Sequence, residues 1–238
     1  MIKRYDTPDL LIAGLAEFVV ATAKESIKRH GRFDFVLSGG SSPKRLYELL
    51  TSADYRDKIE WKKVFFFFGD ERNVPSDHPD SNYLMVKRSL FEPLSIDTKQ
   101  IFPIDTSHAP EQVAEEYENE IKAHFKNDKC SFDLILLGLG DNSHTASLFP
   151  HTEVLHETKA LVKGLFIPEV NMYRITFTAP LINAARKIAF LVYGASKAIA
   201  VKHILKDNRN IEIYPAQLIE PVDGELIWFL DEAAAKQL

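Results

Sequence analysis

Apolar residues in this chain follow two rhythms, and the two alternate. Leu11, Leu15, Phe18, Val19 and Thr22 recur at the spacing of one helix face, so residues 8–29 are expected to form an amphipathic helix. The stretch FDFVLS (33–38) then reads as a short buried strand. SPKRLYELL (42–50) reads as a helix, with Ser42 able to cap it and Pro43 at its first position. KVFFFFGDE (63–71) is expected to be a second buried strand, because four consecutive phenylalanines cannot alternate between core and water. A helix over SNYLMVKRSLF (81–91), a short strand at QIFPI (100–104) and a long helix over EQVAEEYENEIKAHF (111–125) follow. FDLILLGLG (132–140) is the third apolar strand. The last third repeats the alternation: strand RITFT (174–178), helix PLINAAR (180–186), strand KIAFLVYG (187–194), helix SKAIAVKHILK (196–206) and strand ELIWFL (225–230).

Strands alternating with helices predict an α/β fold, a mainly parallel sheet with helices on both faces. No linker or fixed-period repeat divides the chain, so residues 1–238 are expected to form one domain. Ligands of such sheets bind beyond the carboxyl ends of the strands. Three loops at those ends, SGGSSPK (38–44), GDERNVP (69–75) and GLGDNSHT (138–145), are predicted to share one pocket.

Each loop admits a chemical and a plain reading. Gly39, Gly40, Ser41 and Ser42 lie between a strand and a helix start, where backbone N–H groups and the helix dipole favour an anion. A tight turn needing glycine only for its angles explains the same residues, and P-loop spacing is absent. Arg72 could hold a phosphate in its planar fork, with Asp70 or Glu71 orienting it; a solvated charge cluster is the alternative. GLGDNSH lacks the third glycine of a dinucleotide fingerprint and falls mid-chain, which excludes nucleotide binding. His144 is either a catalytic base at a strand end or a capping or core-satisfied histidine. Lys197 and Arg174 are each either phosphate ligands or surface cations. His151 and His156, with Glu153 and Glu157, lack standard zinc spacing, so no metal site is expected.

Composition narrows the partners. With 238 residues, 45% of them hydrophobic, the chain can bury a large core. A formal charge of −5 argues against nucleic acid, although a few well-placed cations suffice for one phosphate. The single cysteine, Cys130, excludes an intramolecular disulfide and suits a reducing compartment. No signal core or membrane-length apolar run occurs, so a cytoplasmic location is expected, as a monomer or a homodimer.

Taken together, LSGGSSPKRLYELL, FFFGDERNVPSDHPDSNYLMVKRSLF, LILLGLGDNSHTASLFPHT, RITFTAPLINAARKIAFLVYGASK and PAQLIEPVDGELIWFLDEAAA resemble the 6-phosphogluconolactonase family, in family order from about residue 34 to the C-terminus. The resemblance implies the Rossmann-like α/β fold shared with glucosamine-6-phosphate isomerases and no metal or organic cofactor. It also implies hydrolysis of 6-phospho-D-glucono-1,5-lactone in the pentose phosphate pathway. On this reading His144, Asn142 and Arg72 are catalytic; Gly39, Gly40, Ser41, Ser42, Asp70, Glu71, Arg72, Arg174 and Lys197 bind the sugar phosphate.

The resemblance also supplies competitors. Aminosugar-phosphate isomerase/deaminases carry an aromatic-Asn-Glu-Pro run where this chain has SLFP, and Asp-Glu-Tyr where it has Asp70, Glu71 and Arg72. A non-catalytic sugar-phosphate sensor is the other alternative. The family usually reads Asp-Gly-His where this chain reads Asn142-Ser143-His144. Asn142 is expected to hold the imidazole without adding charge, Asp141 to point elsewhere, and Ser143 to take an angle that needs no glycine. The imidazole pKa is expected near its unperturbed value of about 6.5.

Overall fold

A computed structural model describes residues 1–126 and 128–238. Three of its strands are the predicted apolar runs: β2 (Phe33–Leu37), β3 (Val64–Phe68) and β5 (Leu134–Leu137). They are buried almost throughout, as strands covered on both faces must be. β8 (Lys187–Val192) and β9 (Glu225–Asp231) extend the same sheet, and β1 (Ile2–Tyr5) completes its edge beside β9. The six strands are parallel, in the order β1-β9-β8-β5-β2-β3. The phenylalanines fill the space around β3, with the Phe67 and Phe102 rings stacked at 4.4 Å.

The long helix α1 (Pro8–His30) begins at Thr7, whose hydroxyl accepts the Leu10 N–H, and ends at Gly31 in the left-handed region. α2 (Ser41–Leu50) follows β2 directly. α3 (Asn82–Val86) runs through a π-turn at Lys87–Phe91 into the short α4 (Glu92–Leu94). α5 (Pro110–His124), α6 (Ala179–Asn183) and α7 (Ala198–Leu205) complete the helices named here.

Four segments differ from the elements their sequences predict. KVFFFFGDE is two strands, because the chain leaves the main sheet at Gly69 and continues as β4 (Asp70–Arg72). RITFT belongs to a second, antiparallel sheet, in which β7 (Met172–Phe177) lies between β4 and β6 (Val162–Ile167). QIFPI makes only an isolated bridge, Ile101 to Phe66, along the edge of β3. α2 is capped by Gly40, not Ser42: Gly40 turns at φ 102°, so both Ser41 and Ser42 lie within the helix.

Strand order places the site. β3, β2, β5 and β8 are neighbours, and the direction of winding reverses between β2 and β5. The loops leaving their carboxyl ends are therefore contiguous, and a crevice opens between them.

Candidate active site

That crevice is a cleft of about 540 Å³. Its lining includes Gly39–Ser42 after β2, Asp70 and Arg72 after β3, Gly138–Asn142 and His144–Ser147 after β5, and Lys197 beyond β8. Arg174 from β7 and Glu169 from the β6–β7 turn close it from the second sheet. The three predicted loops and both distant cations thus share one cavity.

Part of the cleft lining suits an anion. β4 and β7 pair antiparallel with Arg72 directly opposite Arg174, so both guanidinium groups project to the same side. Such a like-charge pair is unfavourable on its own, and the Asp70, Glu71 and Asp80 carboxylates offset part of the repulsion at Arg174. The Nε atoms of Arg72 and Arg174 are buried and lack a hydrogen-bond partner among the described residues. Burial also depresses the Arg174 pKa. Arg72 is steadied by donating from Nη1 to the Asp80 carbonyl at 2.7 Å; neither Asp70 nor Glu71 orients it. Nearby, α2 presents its N-terminus with no side-chain cap among the described residues, leaving first-turn N–H groups free to face a ligand.

The same cleft is lined by His144. Its ring stacks on Phe149 at 3.9 Å, and Gly140 permits this seat: a Cβ there would lie 2.1 Å from Nδ1. Asn142 Oδ1 lies 2.5 Å from His144 Nδ1 and accepts the His144 backbone N–H at 3.2 Å. Asn142 Nδ2 donates to both oxygens of Glu169 at 2.8 Å. A carboxylate can only accept, so the amide nitrogen must face Glu169 and the amide oxygen His144. The imidazole proton then sits on Nδ1, and Nε2 keeps its lone pair.

Two expectations fail here. The His144 pKa lies at about 4, not near 6.5; burial is the main cause, Asp70 and Glu169 oppose it, and Lys197 and Arg174 add to it. Ser143 adopts φ 67°, the left-handed angle a glycine would take freely, at a cost of about 1 kcal/mol.

Two acids expected together are divided. Asp70 lines the cleft, and its Oδ2 accepts from Ser147 Oγ at 2.7 Å. Glu71 is 2% exposed and lies outside the cleft lining. Its carboxylate accepts the backbone N–H groups of Arg72, Asn82 and Tyr83 and the Ser81 hydroxyl, anchoring the start of α3. Burial raises its pKa. A substrate contact expected of Glu71 is thereby replaced by a structural role. Lys197 lines the cleft but pairs with Asp141 at 2.7 Å, and no hydrogen bond joins Asp141 to the imidazole among the described residues.

Sequence reasoning missed Glu169. It stands 27 residues from Asn142 on a hairpin whose first strand, VKGLFI, gave no strand pattern.

The model of the family described as glucosamine-6-phosphate isomerases/6-phosphogluconolactonase matches residues 6–228. The chain belongs to this family. It is 42% identical to a 6-phosphogluconolactonase of Synechocystis over 233 residues, covering 96% of this chain and 94% of that protein. It is 36% identical to the chloroplastic 6-phosphogluconolactonase 3 of Arabidopsis thaliana, covering 100% of this chain and 75% of that protein. The solved 6-phosphogluconolactonase of Trypanosoma brucei superposes with a TM-score of 0.88 at 31% identity, covering 100% of this chain and 98% of that one. Family membership fixes the fold as the Rossmann-like one expected. At the position where the deaminase branch is expected to carry an acid, this chain has Leu148, fully buried, and Phe149, pressed on the imidazole.

Proposed function

We propose that the chain hydrolyses 6-phospho-D-glucono-1,5-lactone to 6-phospho-D-gluconate, the lactonase step of the oxidative pentose phosphate pathway. The observation that carries this reading is one cleft lined both by Arg72 and Arg174, each with a buried unpaired Nε, and by an imidazole whose Nε2 makes no hydrogen bond among the described residues. Arg72, Arg174, Lys197 and the N–H groups around Gly40–Ser42 take the phosphate end. Holding that end fixes the ester carbonyl near His144 and removes the entropy cost of aligning it with water.

Neutral His144 accepts a proton from water at Nε2 as the water oxygen attacks the lactone carbonyl carbon. The carbonyl oxygen becomes an oxyanion, for which backbone N–H groups of the loop that carries His144 are the donors. As the carbon–ring-oxygen bond breaks, Nε2 returns its proton to the departing oxygen, which leaves as a hydroxyl; the new carboxylic acid then ionises. Asn142 holds the ring throughout, and Asp70 keeps Ser147 and the loop floor in place.

The partner is a small sugar phosphate, with no role for nucleic acid. Among the described residues no helix is long and apolar enough to cross a membrane. The single cysteine suits a reducing compartment, and we propose a cytoplasmic monomer or homodimer. The deciding experiment offers fresh phosphorylated lactone and glucosamine 6-phosphate to the purified protein. Acid release above the spontaneous rate, with no ammonia from the aminosugar, is expected. Ammonia release would move the chain to the deaminase branch, and tight product binding without turnover would make it a sensor.

A further inference from the structure

Asn142 stands where the family usually has a carboxylate, yet a carboxylate is present one residue further out. Glu169 reaches Asn142 from the turn after β6, a different element from the loop that carries His144. Both Glu169 oxygens lie 2.8 Å from Asn142 Nδ2, and Asn142 Oδ1 sits on Nδ1 and the backbone N–H of His144. Every polar atom of the asparagine side chain is therefore committed, and the chain Glu169–Asn142–His144 runs in one direction only.

Resting on the lactonase reading above, we infer that Glu169 is the positioning residue of the catalytic base. It acts through Asn142, fixing the imidazole tautomer and passing to the ring the negative charge that position 142 no longer carries. Two physical facts support this. First, a primary amide has nearly equal ends, and a neighbour that only accepts distinguishes them. Second, a hydrogen bond polarised by an ionised partner is stronger than one between neutral groups, so the amide oxygen facing His144 is a better acceptor while Glu169 is ionised. At metal-bound imidazoles, outer groups that orient the ring in this way are worth about 10- to 100-fold in affinity or activity, and the lower end of that range applies to Glu169, which is exposed.

The arrangement makes an unusual prediction about residue 142. In the parent protein Asn142→Asp would set a carboxylate against Glu169, so restoring the family's residue alone should not help. Removing the Glu169 charge should reverse that outcome, because the glutamine amide of Glu169→Gln can donate to the new carboxylate while that carboxylate accepts from Nδ1. The test uses Glu169→Ala, Glu169→Gln, Asn142→Asp and the Asn142→Asp/Glu169→Gln double variant. Nitrogen-15 NMR of the His144 ring gives the tautomer, and steady-state kinetics on the phosphorylated lactone gives activity.

Glu169→Ala is expected to lower kcat about 10-fold with KM little changed. Its ring should move from the pure Nδ1–H tautomer toward a mixture. Glu169→Gln should lower kcat in the parent and raise it in the Asn142→Asp background. An unchanged tautomer and unchanged kcat in Glu169→Ala would overturn the inference, as would equal effects of Glu169→Gln in both backgrounds. The ring spectrum needs no substrate, so it tests the positioning role even if the protein proves not to hydrolyse this lactone.

Discussion

A half-buried imidazole that stays neutral leaves a signature in both stability and rate. The fall of the His144 pKa from 6.5 to about 4 corresponds to about 3 kcal/mol favouring the neutral ring, at about 1.36 kcal/mol per unit. The folded protein takes up this proton at lower pH than the unfolded chain, so between the two values the unfolded state binds more protons. The His144 contribution is therefore fully present above pH 6.5 and lost as pH falls toward 4. Integrating over the window, about 2 kcal/mol should be gone by about pH 5. His144→Gln cannot titrate and should lack this share of the slope, whereas every other group titrates in both proteins. The assay is urea unfolding of each protein at neutral pH and at about pH 5, taking the difference of differences. In kinetics, the acid limb of kcat/KM should fall near pH 4, since that profile reports the free enzyme. An anionic substrate would neutralise Lys197 and Arg174, two groups that hold the pKa down, so the limb of kcat should lie higher. Parallel stability curves for the two proteins, with half-maximal kcat/KM at pH 6.5, would refute the reasoning.

Other substitutions separate binding, seating and structure. Arg72→Ala should weaken the phosphorylated lactone by about 10- to 100-fold, a lost charge-assisted bond being worth roughly 1.5–3 kcal/mol, and leave unphosphorylated gluconolactone unaffected; competition by inorganic phosphate checks the same site. Gly140→Ala puts a methyl carbon 2.1 Å from His144 Nδ1 and should displace the ring, lowering kcat about 100-fold while circular dichroism shows the fold retained. Glu71→Ala should cost about 3 kcal/mol in urea unfolding by orphaning the N–H groups at the start of α3, with kcat of the folded fraction nearly unchanged.

How legible the site was depended on whether its cause is local. Strands β2, β3 and β5 are visible as apolar runs because burial on both faces leaves no polar alternation to confuse them. The cleft followed from their order, since neighbouring parallel strands bring their end loops together. β1 and β6 were invisible: IKRY is a half-exposed edge strand, and VKGLFI carries a lysine and a glycine. The charge cluster at residues 70–72 was read as one unit, yet alternate residues of a strand face opposite ways, sending Arg72 to the cleft and Glu71 into the packing beside α3. Ser143 concealed its left-handed angle because serine gives no signal for one. Glu169 was beyond reach because its role exists only through a contact 27 residues away.

On the proposed mechanism His144 performs the chemistry on a lactone whose phosphate other residues hold. The most direct measurement follows acid release from fresh phosphorylated lactone by the parent and by His144→Ala, each with binding of 6-phosphogluconate determined independently. Turnover at full occupancy should drop by about 10³-fold, with product affinity changed less than about threefold. Turnover within a few-fold of the parent, or a loss appearing mainly in product affinity, would contradict that mechanism.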